Sequence, residues 1–171
     1  ESDRLWSKLV VNLDNYMILF ITRLFRSRFY KVIGESMIPA FNNGDYVLAE
    51  LLTDPIKQLR RGDVVVLKRP YGPSVAKRDL KRVVGLPGEY IYLQDGHVYI
   101  NDVLLFEPWI TVGQRASTQG IKWITGPNEY WLLGDNRAHS TDSSRYGPVQ
   151  QDMALARIRL RYWPISIRKM F

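Results

Sequence analysis

At 171 residues the chain fits one domain, with room for a small subdomain, and is long enough to bury a core. A hydrophobic content of 46% excludes wholesale disorder; the lack of Cys excludes disulfides, thiolate catalysis and cysteine metal sites, and His97 and His139 alone do not make a histidine-rich one. The net charge of +7 suits an anionic surface, but the basic residues are scattered except within 23–31 and 77–82, and without a zinc-finger or RNA-binding signature nucleic acid is not expected as a partner.

The first element is helical. Leu5, Leu9, Leu13, Met17, Phe20 and Leu24 recur at three- and four-residue spacing from residue 5 to about 26. Lys8, Asn12, Asp14, Asn15 and Arg23 interrupt the span of ~20 apolar residues that a membrane crossing needs. No small-residue cleavage pattern follows, so the segment does not read as a signal peptide. Arg23, Arg26, Arg28 and Lys31 adjoin its apolar run, which favours a helix lying on a membrane, or completing an anchor that begins upstream of Glu1, over one packed on a soluble core.

After Tyr30 the texture changes to short β-type runs punctuated by Gly, Pro and Asp. Residues 46–51, 64–68, 81–84, 130–133 and 156–163 read as strands, and 90–93 and 97–100 form a hairpin across Gln94-Asp95-Gly96. A weak helical period surrounds residues 149–155, and 103–128 is irregular enough to be a small cap or excursion. The pattern predicts a mainly β protein: an N-terminal helical region over 1–29, then a β domain over 30–171 whose antiparallel sheets form a partly open, barrel-like core.

Three segments carry chemistry. The first is Gly34-Glu35-Ser36-Met37-Ile38-Pro39, the second Lys81-Arg82-Val83-Val84-Gly85-Leu86-Pro87-Gly88, the third the run from Gly134 to Ser143. A serine hydroxyl is a poor nucleophile until a base takes its proton, and without an available histidine that base is Asp, Glu or Lys. Lysine serves only if burial among apolar groups lowers its pKa from ~10.4. Lys81 has Leu80, Val83, Val84 and Leu86 around it on an expected strand. Alternation points Lys81 and Arg82 to opposite faces, which allows Lys81 inward and Arg82 to water, but periodicity alone does not prove which goes where. Ser140 is able to hydrogen-bond a neutral amine without charging it, and Asp142 is suited to tie down backbone or Arg145. Each residue alone reads more simply as a turn serine or a solvated strand lysine; together, in this order, they do not. The Ser-x-x-Lys matches at Ser74–Lys77 and Ser166–Lys169 lack the helix start and partner motifs that such a site requires.

In these three segments the chain resembles the type I signal peptidases, membrane-bound serine proteases with a Ser-Lys dyad, and looks closer to the bacterial than to the mitochondrial members. The resemblance runs from about residue 30 to 163. It implies Ser36 as nucleophile, Lys81 as general base, Ser140 as the residue holding the amine, and Asp142 with Arg145 in support. It further implies that Val32, Met37, Phe41 and Leu80 line pockets for small side chains, that secretory preproteins with Ala-x-Ala sites are cleaved through an acyl-enzyme, and that no metal or other cofactor is used. Membrane lipid is the other implied partner, and the bacterial cytoplasmic membrane, with the catalytic domain on its extracytoplasmic side, the implied location.

Two departures stand out. Where many relatives have Arg after the Asp-Ser pair, here Asp142-Ser143, this chain has Ser144, with Arg145 one place later. Where some carry a hydroxyl residue two before the nucleophile, this chain has Gly34, leaving the Ser36 backbone N–H as the main oxyanion donor. The alternatives are a self-cleaving repressor-type protease, for which a DNA-binding helix-turn-helix and cleavage loop are missing, and a catalytically silent β-domain that binds extended peptides.

Overall fold

The computed structural model describes residues 26–53, 59–69, 78–111, 113 and 120–164. The expected N-terminal helix lies outside these residues apart from Arg26, and the first strand, β1 (Ser27–Lys31), begins ahead of the expected boundary at residue 30. There follow β2 (Tyr46–Leu51), β3 (Val64–Lys68), β4 (Arg78–Gly85), β5 (Tyr90–Gln94), β6 (His97–Ile100), β7 (Val103–Leu104), β8 (Ile121–Ile124), β9 (Glu129–Leu133), a short helix α1 (Ser143–Tyr146), β10 (Val149–Gln150) and β11 (Ala154–Trp163). No helix among the described residues is long and apolar enough to cross a membrane.

The strands form two antiparallel sheets, of seven strands in the order β1-β2-β11-β3-β4-β9-β10 and of four in the order β7-β6-β5-β8. The expected hairpin turns through Asp95 and Gly96, both with positive φ (48° and 72°), the conformation that a two-residue Asp-Gly turn demands. Asn101 and Asp102, at φ 49° and 66°, repeat the device and send the chain into β7. The irregular stretch 103–128 thus supplies both edges of the small sheet, β7 and β8, around the β5–β6 hairpin. The weak helical period near 149–155 is not an α-helix: it resolves into β10, a 3-10 turn over 151–153 and the start of β11.

Strand β3 is apolar without interruption because both its faces are covered, and its residues 64–67 are all buried. Val64 and Val66 join Val32, Met37, Phe41, Val47 and Ile158 in one core cluster. Val65 and Leu67 join Val83, Tyr130, Leu132 and Val149 in another. A third cluster, with Ile91, Leu93, Val98 and Trp131, seals the small sheet to the large one. The large sheet curls until Tyr30, Lys31, Val32 and Ile33 face Arg78, Asp79 and Leu80 of β4 across a cavity of about 350 Å³. Arg78 lies over the Tyr30 ring at 5.7 Å, spanning that gap, so the core is a partly open barrel. Among the described residues, β4 pairs from Arg78 to Lys81 with β3 on one side only, because β9 joins it from Arg82 onward.

Candidate active site

Ser36 lies on the bend between β1 and β2. Gly34 starts that bend at φ +97°, a conformation strained for any residue with a Cβ, and donates its N–H to Asn43 Oδ1 at 3.0 Å. Met37 and Phe41, at 1% and 0% exposure, anchor the following turns in the core. They back the nucleophile loop rather than line the groove, whereas Val32 and Leu80 do line it.

Lys81 is 3% exposed, and its Nζ lies 3.0 Å from Ser36 Oγ and 3.0 Å from the Leu80 carbonyl, to which it donates. The two reactive atoms belong to residues 45 positions apart in sequence. Burial lowers the Lys81 pKa from its ordinary value; Asp79 and Asp142 push back upward, and Arg69 pushes down. A neutral amine at this distance accepts a hydroxyl proton, whereas an ammonium does not. The directly opposing residues on β3 are Val65 for Lys81 and Leu67 for Asp79, so these two side chains share one face of the sheet.

Arg82 does not reach water. It points to the other face and is 4% exposed, because that face is covered as well. There it donates to both oxygens of Asp135 at 2.8 and 2.6 Å and to the Gly62 carbonyl at 2.8 Å, with its guanidinium 4.7 Å from the Trp109 ring centre. The alternation was legible; the cover over the second face came from residues 62, 109 and 135, which no local pattern connects.

The segment from Gly134 to Ser143 braces the nucleophile loop. Asn136 donates its backbone N–H to the Ser36 carbonyl at 3.0 Å and its side-chain amide to the Glu35 carbonyl at 3.2 Å. Asp142, 2% exposed, accepts from the Gly134 N–H at 2.9 Å, the Ser144 N–H at 3.1 Å and the Ser144 hydroxyl at 2.7 Å, capping α1. Ser144, standing where many relatives carry Arg, therefore serves Asp142 itself, and Arg145 is exposed with no side-chain bond to Asp142. Ser140 Oγ is buried without a hydrogen-bond partner among the described residues, and it does not bond Lys81. It sits against Gly134, near the Ser36 main chain. Burial, then Asp142 and Asp79, push the Tyr146 phenol far above its ordinary range, so it stays neutral.

Gly134 is a place where only hydrogen fits. A Cβ there would collide with Ser140 Oγ and lie 2.6 Å from both Ser140 Cβ and the Ser36 carbonyl. Gly134→Ala is expected to push the two loops apart and lower kcat by about 10²-fold, the cost of misplacing reacting groups by roughly an ångström. Steady-state kinetics alongside a melt reads this out; an unchanged kcat in a folded variant means that the loops are not braced here.

No cluster of three or more potential ligands for a metal ion occurs among the described residues. The arrangement supplies an activated alcohol, a buried amine and an adjoining groove with a strand edge unpaired among the described residues, which together suit acyl transfer from an extended peptide.

Comparison with known proteins agrees with that chemistry. The family described as signal peptidase, peptidase S26, matches residues 6–163. Signal peptidase I V of Bacillus subtilis (strain 168) is 34% identical over 134 residues, covering 71% of this chain and 77% of the relative. Signal peptidase I of Bacillus caldolyticus is 31% identical over 157 residues, with 84% of each chain covered. Signal peptidase IB of Staphylococcus aureus (strain Mu50) is 30% identical over 171 residues, covering 88% of this chain and 85% of the relative.

Proposed function

The chain belongs to the S26 family of signal peptidases, serine endopeptidases, and from that premise we propose that Ser36 and Lys81 are the residues with which it removes signal peptides from exported preproteins. The observation that carries the assignment is the 3.0 Å approach of a buried lysine amine to the Ser36 hydroxyl. The substrate segment before the scissile bond lies extended in the groove between residues 30–33 and 78–80, against the edge of β4 that has no strand partner among the described residues. Val32 and Leu80 there favour small apolar side chains, which suits an Ala-x-Ala site.

Lys81 Nζ takes the Ser36 hydroxyl proton as Oγ attacks the scissile carbonyl carbon. The Ser36 N–H, for which no described residue acts as acceptor, faces the developing oxyanion. Collapse of the tetrahedral species expels the new amine, which takes its proton from the Lys81 ammonium, and leaves an ester on Ser36. Lys81 then deprotonates a water that attacks the ester. A second collapse, in which the Lys81 ammonium returns its proton to the departing Ser36 Oγ, frees the signal peptide's carboxyl group, which ionises to water. Membrane lipid is the second partner, and the catalytic domain works on the extracytoplasmic side of the bacterial cytoplasmic membrane.

A preprotein with an Ala-x-Ala site, incubated with the protein in detergent or lipid, tests the assignment. Wild type releases the mature protein, and Ser36→Ala is expected to lose about 10⁶-fold in kcat, as removal of a nucleophilic serine does elsewhere. Residual cleavage near the wild-type rate in Ser36→Ala would transfer the nucleophile's role to another residue.

A further inference from the structure

Two residues before Lys81 on the same face of β4 stands a carboxylate, Asp79, in a site whose chemistry needs an uncharged amine. An unpaired carboxylate beside a lysine favours the ammonium, the form that is inert as a base. The structure deals with this carboxylate in a particular way. Arg69, just past the end of β3, holds Asp79 in a two-bond fork, Nε to Oδ2 at 2.9 Å and Nη2 to Oδ1 at 2.6 Å. Asp79 is nearly buried, while Arg69 keeps 37% of its side chain exposed. No ion pair joins Lys81 to Asp79 among the described residues; the amine's bonds go to Ser36 and to the Leu80 carbonyl.

Resting on the assignment of Lys81 as the base, we propose that Arg69 is a positioning residue: by gripping both oxygens of Asp79 it keeps that carboxylate off the Lys81 amine and leaves the amine to Ser36. The fork occupies the carboxylate's two oxygens in the geometry that a guanidinium matches best. It also places a cation beside the anion, which offsets part of the anion's field at Nζ.

Among the described residues, the other charged or titratable groups around the amine do not supply this compensation. On its own strand, Arg82 points to the opposite face and is neutralised by Asp135. Arg78, the exposed first residue of β4, lies over Tyr30. From the loop before α1, Asp142 adds a second anion, already engaged by Gly134 and Ser144, and from α1 itself Tyr146 stays neutral. Glu35, beside the nucleophile, is exposed. Arg69 is the cation that opposes Asp79 in setting the Lys81 pKa, where Asp79 acts upward and Arg69 downward.

The pH dependence of kcat/KM reads this directly, because its acid limb reports protonation of the free enzyme's base. Arg69→Gln leaves Asp79 uncompensated, so the limb is expected to move to higher pH by about one unit, with activity returning toward wild type once the amine is deprotonated. Asp79→Asn is expected to move the limb the other way, and in the double variant Arg69→Gln is expected no longer to raise the limb above its wild-type position. Arg69→Lys, which keeps the charge but not the fork, should fall between wild type and Arg69→Gln. A purely structural role for the pair lowers kcat/KM by one factor at every pH and leaves the limb in place, and that result overturns the proposal. So does a double variant that keeps the Arg69→Gln shift. Should Arg69→Gln fail to fold, Asp79→Asn alone decides by whether its limb moves down. Failure of the underlying assignment looks different: Lys81→Met then cleaves at a rate near wild type, whatever residues 69 and 79 do.

Discussion

Lys81→Met is expected to lower kcat/KM for preprotein cleavage by about 10³–10⁴-fold, and at the same time to leave the protein at least as stable as wild type. The first effect follows from removing the base 3.0 Å from Ser36 Oγ while nearly conserving the volume of the side chain. The second follows from burial. The Lys81 side chain is enclosed, and the desolvation that suits it for catalysis opposes folding, because the unfolded chain hydrates the ammonium freely. A thioether in the same space carries no such cost.

The pH dependence of this stability gain has a definite sign. The folded pKa of Lys81 is lowered, so between that value and the unfolded value near ~10.4 the unfolded wild-type chain binds more protons than the folded one. Wild-type stability therefore rises with pH through that window relative to Lys81→Met. The variant's advantage is greatest below the folded pKa, shrinks as pH rises and vanishes above ~10.4. Thermal melts of both proteins at several pH values check this. A variant that melts lower than wild type at pH 6 means that the amine is stabilising where it sits, which is incompatible with its serving as a neutral base.

What could be read from the sequence divides along physical lines. Strands 46–51, 64–68 and 97–100 are found at their expected bounds, because their apolar runs end at turn residues. Strand β1, by contrast, has the sequence SRFYK, with no alternation of apolar and polar residues; only its pairing with β2 makes it a strand. Strands β7, β8 and β10 have two to four residues each and form on partners made elsewhere. The Asn101-Asp102 turn into β7 is a local signal that the sequence does carry, since Asn and Asp tolerate positive φ. Ser36 and Lys81 were legible as chemistry and as a resemblance, yet their meeting depends on a contact across 45 residues that spacing does not predict. Asn136 is a residue type suited to a turn, but its bonds to the carbonyls of Ser36 and Glu35 span about a hundred residues, a separation that no local pattern bridges. Met37 and Phe41 flank the nucleophile in sequence, and the resemblance implies that they line pockets, but proximity in sequence says nothing of direction: both turn into the core.

Asp135→Ala is expected to be the most destabilising single change in the site, costing about 3–5 kcal/mol, because it leaves the Arg82 guanidinium buried without its counter-ion. Both partners are nearly inaccessible, with 5% and 1% of their side chains exposed. The remaining acceptor, the Gly62 carbonyl, carries no formal charge, and the Trp109 ring offers only its face. At about 2–4 °C per kcal/mol for a chain of this size, the melting temperature should fall by roughly 6–20 °C. The pair also matters to catalysis through the chain on either side of it. Arg82 follows the base Lys81 on β4, and Asp135 precedes Asn136, which holds the Ser36 carbonyl, so one ion pair ties the strand of the amine to the brace of the alcohol. Cleavage by Asp135→Ala below its melting point should therefore show a fall in kcat with less change in KM. Replacing the pair by Arg82→Met with Asp135→Leu separates the two effects. An apolar pair of similar volume removes the uncompensated charge and should recover most of the lost melting temperature, since buried ion pairs contribute little beyond their own desolvation. It has no directional bond with which to fix residues 134–136, so kcat should stay below wild type. A melt of Asp135→Ala within a degree of wild type requires that water reach Arg82, and the closed second face of β4 would then be open.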